Sequence, residues 1–169
     1  MRNVKSLFHV NFPTNNWDAM VNFYVNICGF DQAFVITKAD MCRMFGSPVK
    51  PEDEKIPQLT YIRISPNSYI ELMNNDPKEK KTEQKKYSSF HHIALLTDDI
   101  ARTKKRFEDM NYPFYNNPIE KKPVTEFHMG EDGCLIAWSE DPDGHYIEIM
   151  QQSGHSMQEE FEKTHPITD

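Results

Sequence analysis

Tyr69-Ile70-Glu71-Leu72-Met73 recurs as Tyr146-Ile147-Glu148-Ile149-Met150, with one leucine–isoleucine exchange. An apolar segment bearing histidine precedes each copy: Leu7-Phe8-His9-Val10-Asn11-Phe12 in the first half, Phe90-His91-His92-Ile93-Ala94-Leu95-Leu96 in the second. Imidazole nitrogens and carboxylate oxygens together make a donor set for a divalent cation. Taken singly, a glutamate in an alternating strand faces water, and a strand histidine is a satisfied structural residue. The repetition changes that expectation. If a pseudo-two-fold axis relates the halves, His9, Glu71, His92 and Glu148 point into one space. Unpaired charges gathered there are costly to bury, and a divalent cation compensates them.

Register decides between His91 and His92, since successive strand side chains lie on opposite faces and only one can point inward. His9 precedes Tyr24 by 15 residues, and His92 precedes Phe107 by the same 15. Phe107 falls where an amphipathic helix needs an apolar partner, which selects His92 and turns His91 away. His128, His145, His155 and His165 have no counterpart in the repeat.

The elements that must hold these residues follow from periodicity. Trp17, Met20, Val21, Tyr24, Ile27 and Cys28 make one helical stripe, opened by Asn15 or Asn16 and closed by Gly29. Ile100, Thr103, Phe107 and Met110 make a second, with Asp98 as its expected cap and Lys104, Lys105 and Arg106 on its wet face. Strand-like runs follow each helix: 31–37, 59–64 and 69–73 in the first half, 114–116, 124–129, 134–139 and 146–151 in the second. Pro66-Asn67-Ser68 and Asp141-Pro142-Asp143-Gly144 are the turns before the two repeated pentamers. Both halves read β-α-β-β-β, an α+β class.

Residues 1–75 form the first module and 90–152 the second, joined by a Lys/Glu-rich linker at 76–89. Residues 38–57 are an insertion with a helical turn at 39–45. The tail, 153–169, begins a short helix, because Ser156 and Glu159 match a capping box.

Composition excludes several classes. The net charge of −7 disfavours nucleic acid, and no apolar run reaches the ~20 residues of a membrane span. No signal-peptide core follows Met1. Cys28, Cys42 and Cys134 are odd in number and form no C-x-x-C pair, which fits small buried or half-buried hydrophobes in a reducing cytoplasm. Trp17, Phe34, Phe45, Phe127 and Trp138 are candidates to line a ligand cup or to fill the core.

From about residue 4 to 152 the chain resembles the vicinal oxygen chelate superfamily, which includes glyoxalase I, methylmalonyl-CoA epimerase, extradiol dioxygenases and fosfomycin- and bleomycin-resistance proteins. The resemblance rests on the segment from His9 through Asn22-Phe23-Tyr24 to Gly29-Phe30, on His92-Ile93-Ala94-Leu95, and on Asp141-Pro142-Asp143-Gly144 before Tyr146-Ile147-Glu148. It implies a glyoxalase-like fold, in which two βαβββ modules form a cup-shaped, mostly antiparallel sheet around a metal. The ligands lie on the first and last strands of each module, here His9, Glu71, His92 and Glu148.

A His, Glu, His, Glu set looks most like bacterial glyoxalase I, with one Zn, Ni, Co or Mn per site. It implies a lyase or isomerase acting on a small α-oxoaldehyde-derived substrate through an enediolate, with Glu148 as the proton-transfer base and Glu71 as its alternate. Asn11 and Asn75 are the substrate-contact candidates; Asn75 matches an asparagine common in glyoxalase I. Pro13 stands where glyoxalase I commonly has an arginine that helps hold glutathione, so another thiol or a thiol-free substrate is open. An Fe(II) dioxygenase and a non-catalytic, resistance-type small-molecule binder are the alternatives. A homodimer is the expected assembly, with modules paired within a chain or exchanged between chains.

Overall fold

A computed structural model describes residues 7–75 and 92–166, which divide into two compact units. The expected linker and His91 lie outside the described residues.

The first unit runs β1 (His9–Thr14), α1 (Trp17–Asn22), a π-helical turn (Phe23–Ile27), β2 (Asp31–Thr37), α2 (Lys38–Met44), a 3-10 turn (Pro51–Lys55), β3 (Pro57–Ser65) and β4 (Ser68–Asn74). Its sheet has the order β1-β4-β3-β2, with β1 parallel to β4 and the other pairs antiparallel. Asn16 occupies the N-cap position of α1, with no side-chain cap hydrogen bond. Met20, Phe23, Tyr24 and Ile27 are buried below it, and Gly29 adopts the positive φ of 84° that ends the helical run. Phe23 was not on the expected stripe; the wider π turn brings it to the core side. Pro13 lies in β1, an edge strand, where a missing N–H is tolerated.

Two local devices fold the insertion. Thr37 and Asp40 form a reciprocal capping box at the start of α2, and the buried Asp53 accepts from the Lys50 backbone and pairs with Lys38.

The second unit runs β5 (His92–Leu96), α3 (Ile100–Asp109), β6 (His128–Met129), β7 (Cys134–Glu140), β8 (Tyr146–Gln152) and α4 (Met157–Thr164). Its order β5-β8-β7-β6, with β5 parallel to β8, repeats that of the first sheet. Three details differ from expectation. Asp99 rather than Asp98 caps α3, its carboxylate accepting from the Arg102 amide at 2.9 Å. The strand expected at 114–116 is reduced to isolated bridges from Tyr115 to Pro123 and Trp138, and that at 124–129 to β6. Pro113, Pro118 and Pro123 explain the loss, because each removes a ladder donor. The C-terminal helix forms as expected, with Ser156 and Glu159 in a capping box.

In each sheet one face is core. Ile62, Ile70 and Leu72 are wholly buried, as are Ala137 and Ile147, with Ile149 nearly so. The residues between them face the other way. No helix of the described residues is long and apolar enough to cross a membrane.

Candidate metal centre

The parallel pairing of the first and last strands of each unit sets the histidines beside the glutamates. His9 pairs with Tyr69 and Asn11 with Glu71 on β1–β4. His92 pairs with Tyr146 and Ala94 with Glu148 on β5–β8. The two ladders have the same register, so the sequence repeat is a structural repeat.

In the first unit Nε2 of His9 lies 3.1 Å from Oε2 of Glu71; in the second, Nε2 of His92 lies 3.2 Å from Oε2 of Glu148. Donors ~2.1 Å from one cation, and about 90–109° apart around it, are themselves roughly 3.0–3.4 Å apart. Both pairs meet that spacing, which is also that of the direct imidazole–carboxylate contact they make, and imidazole with carboxylate is a donor set that suits a divalent transition metal. Nδ1 of His9 is enclosed without a hydrogen-bond partner among the described residues, so Nε2 is the nitrogen through which this ring engages. The residues therefore fit a divalent metal, with two donors offered by each unit. Among the described residues, no three His, Cys, Asp or Glu side chains gather into a cluster that could hold an ion.

The surroundings of the two pairs differ. Glu71 also accepts from Nδ2 of Asn11 at 3.0 Å on Oε1 and from the Tyr61 hydroxyl at 2.7 Å on Oε2. Tyr61 stands directly across the β3–β4 ladder from Glu71. Burial, followed by the hydrogen bond and charge of Glu71, pushes its phenol up to about 12, so it remains a donor throughout the ordinary pH range. His9 meets Tyr61 edge to face with ring centroids 5.5 Å apart, and the half-exposed Phe34 stacks on Tyr61 at 4.9 Å. Across the β7–β8 ladder, Trp138 takes the place of Tyr61 opposite Glu148 and lies edge-on to His92 at 5.0 Å.

The other expected residues are distributed as follows. Asn75 follows β4 just beyond its end, and its backbone N–H donates to the Thr14 carbonyl. Of the five aromatics, Phe34 and Trp138 border the pairs. Phe45 is exposed beyond α2, Trp17 opens α1, and Phe127 precedes β6. Tyr61 is the neighbour that sequence reasoning missed. A cleft of about 490 Å³ between Gly29–Asp31 and Arg63–Pro66 is open to solvent and holds none of the repeated residues. It is too open to outrank the duplicated chemistry.

Residues 6–149 match the family model described as the glyoxalase/bleomycin resistance protein/dioxygenase superfamily, and the chain belongs to it. It is 27% identical over 150 residues to the uncharacterized protein YwbC of Bacillus subtilis, covering 88% of this chain and 98% of that one. It is 28% identical over 148 residues to a probable lactoylglutathione lyase of Synechocystis, covering 87% and 95%. A solved glyoxalase/dioxygenase structure from Nostoc punctiforme has the same fold, with a TM-score of 0.61, 18% identity and coverage of 89% and 92%.

Proposed function

We propose that this protein is a metal-dependent lyase or isomerase of the glyoxalase I kind, acting on a small α-oxoaldehyde-derived substrate with two neighbouring oxygens. The observation that carries the reading is the duplicated His–Glu pair at identical register, 3.1 Å and 3.2 Å apart. His9, Glu71, His92 and Glu148 would together hold one divalent cation, the second pair coming from the other module of the same chain or of a second copy in a homodimer. When bound, the metal supplies Lewis acidity that lowers the cost of negative charge on the substrate oxygens. Glu148 removes the proton from the carbon beside the carbonyl and returns it to the adjacent carbon. Glu71, engaged by Tyr61 and Asn11, stays in place. The relative named as a probable lactoylglutathione lyase supports this choice within the superfamily.

Pro13 removes the basic contact expected for glutathione, so the assay spans adducts of several thiols. Metal-free protein is reconstituted in turn with Zn, Ni, Co and Mn, and isomerisation of α-oxoaldehyde–thiol adducts is followed. Metal-dependent turnover is the expected result; its absence with every metal and thiol rejects the reading. A second reading, an Fe(II) dioxygenase, is favoured by the exposed Phe34 ring stacked beside Tyr61, a surface suited to an aromatic substrate. Oxygen uptake with iron-loaded protein separates the two.

A further inference from the structure

We infer that Arg63, on the wall of the cleft between Gly29–Asp31 and Arg63–Pro66, is a specificity-determining residue that holds the anionic end of the substrate, a short aliphatic chain ending in a carboxylate. This rests on the lyase reading above and deepens it by naming the chemical class of the substrate's tail.

Arg63 is the only lysine or arginine in the four strands of the first sheet. Its place on that sheet follows from register. It stands opposite Tyr69 on the β3–β4 ladder, and Tyr69 stands opposite His9 on β1. Tyr61, two residues earlier on β3, stands opposite Glu71. Arg63 therefore shares the face of the His9–Glu71 pair, roughly 7 Å along the strand from Tyr61, while Ile62 between them is wholly buried on the other face. Pro13 lies at the far end of the same face, opposite Met73 and roughly 13 Å along β1 from His9. The cation on this face is thus at the Tyr69 end, and a substrate whose oxygens meet the pair directs its tail there. The adjoining cleft of about 490 Å³ suits such a tail, because Phe30, Ile64 and Pro66 give it apolar walls and Arg63 lines it beside them. Arg63 pairs with Asp31 through Nη2. Both side chains are more than half exposed, so the pair contributes little. Asp31 takes one of the five N–H donors of the guanidinium fork. A substrate carboxylate that meets the fork with both oxygens is favoured over that single contact.

The test titrates the purified full chain, with cobalt(II) present, against two stable thioethers in a calorimeter. S-acetonyl-3-mercaptopropionate carries the carboxylate, and S-acetonyl-2-mercaptoethanol ends in a hydroxyl. The parent should bind the carboxylate form about tenfold or more tightly than the hydroxyl form, the scale of a hydrogen bond to a charged group, and Arg63→Gln should erase the difference. Asp31→Asn removes the competing carboxylate and should tighten binding of the anionic thioether severalfold; it decides alone if Arg63→Gln does not fold, an unchanged affinity then overturning the inference. Equal affinities in the parent, or a preference that survives Arg63→Gln, overturn it as well. A preference that is lost in Arg63→Gln, together with no turnover of any adduct, upholds the anion site and overturns the lyase reading instead.

Discussion

Nδ1 of His145 lies 2.9 Å from Oδ2 of Asp141, whose side chain is wholly buried and also accepts from the backbone amides of Asp143 and His145. The hydrogen bond to Asp141 raises the imidazole above its ordinary value, with burial opposing and the charges of Asp141 and Asp143 assisting. This pair closes the turn that delivers β8, and with it Glu148. A raised imidazole stabilises the fold fully below about pH 6.5, and that contribution is lost as the pH climbs through the raised folded-state value. His145→Gln should cost about 1 kcal/mol at pH 5.5, a low figure because the ring is partly solvated. The difference should shrink by pH 9. Urea denaturation of parent and variant at both pH values checks this; a gap that widens with pH refutes it.

Phe107 tests whether the repeat extends to the core. It is 1% exposed, as its counterpart Tyr24 is 0% exposed, and it packs edge to face on Phe114 at 5.1 Å. Phe107→Ala should cost roughly 3–5 kcal/mol through lost burial and the cavity left behind. Lys105→Ala on the exposed face of α3 should stay within ~0.5 kcal/mol, although it loses its ion pair with Asp109. Comparable losses in the two variants would mean that α3 is not anchored through Phe107.

The equivalence of the two halves was legible in the sequence because a duplicated pentamer fixes which residues correspond, and alternation fixes which share a face; the parallel register of β1 on β4 and of β5 on β8 was not, since a repeat does not encode cross-strand pairing. Tyr61 was not legible, for a geometric reason. Counting outward from the Pro66-Asn67 turn, where Ser65 pairs with Ser68, sets Ile62 opposite Glu71. An irregularity between Arg63 and Ser65 shifts the ladder by one residue and puts Tyr61 there instead. Asp98 and Asp99 are both acceptable caps by type, and only backbone geometry selects Asp99. β6 is shorter than the β-prone run 124–129 suggests, because the prolines on its approach interrupt pairing. The relation between the two pairs depends on how the units associate, which local periodicity does not encode.

Ser156 anchors α4, a helix with no buried residue of its own. Its side chain accepts from the Glu159 amide at 3.3 Å and donates to the Glu159 carboxylate at 2.7 Å; that carboxylate also takes the Ser156 and Gly154 amides. Hydrogen bonds from the Ser156 backbone and side chain hold Glu159 below the usual carboxylate range. A depressed carboxylate stabilises above its unfolded value, and that support is lost as pH falls through the lower folded value. Ser156→Ala should cost about 1 kcal/mol, felt as fraying of α4 before the sheet yields. Hydrogen exchange is the measurement: amides at 159–164 should exchange faster while those of β7 and β8 do not. Uniform acceleration across the unit would show that α4 is integral to its core instead.

Glu148 and Glu71 lie at nearly the same distance from their histidines and have nearly the same exposure, yet exchanging each for glutamine should give different failures. Glutamine keeps a ligating oxygen and removes the basic one. Glu148→Gln should therefore retain most of its bound metal and lose about 100-fold or more in kcat, the scale of a general base. Glu71→Gln should hurt metal retention first, because the amide brings an N–H toward the donors already supplied by Tyr61 and Asn11. At high metal concentration part of its turnover should return, by mass action on the holo form. Metal content after gel filtration, beside kcat measured against added metal, separates the two behaviours. Full turnover in metal-loaded Glu148→Gln would remove Glu148 from the chemistry, and an identical response of the two variants would mean that the half-sites act as equals.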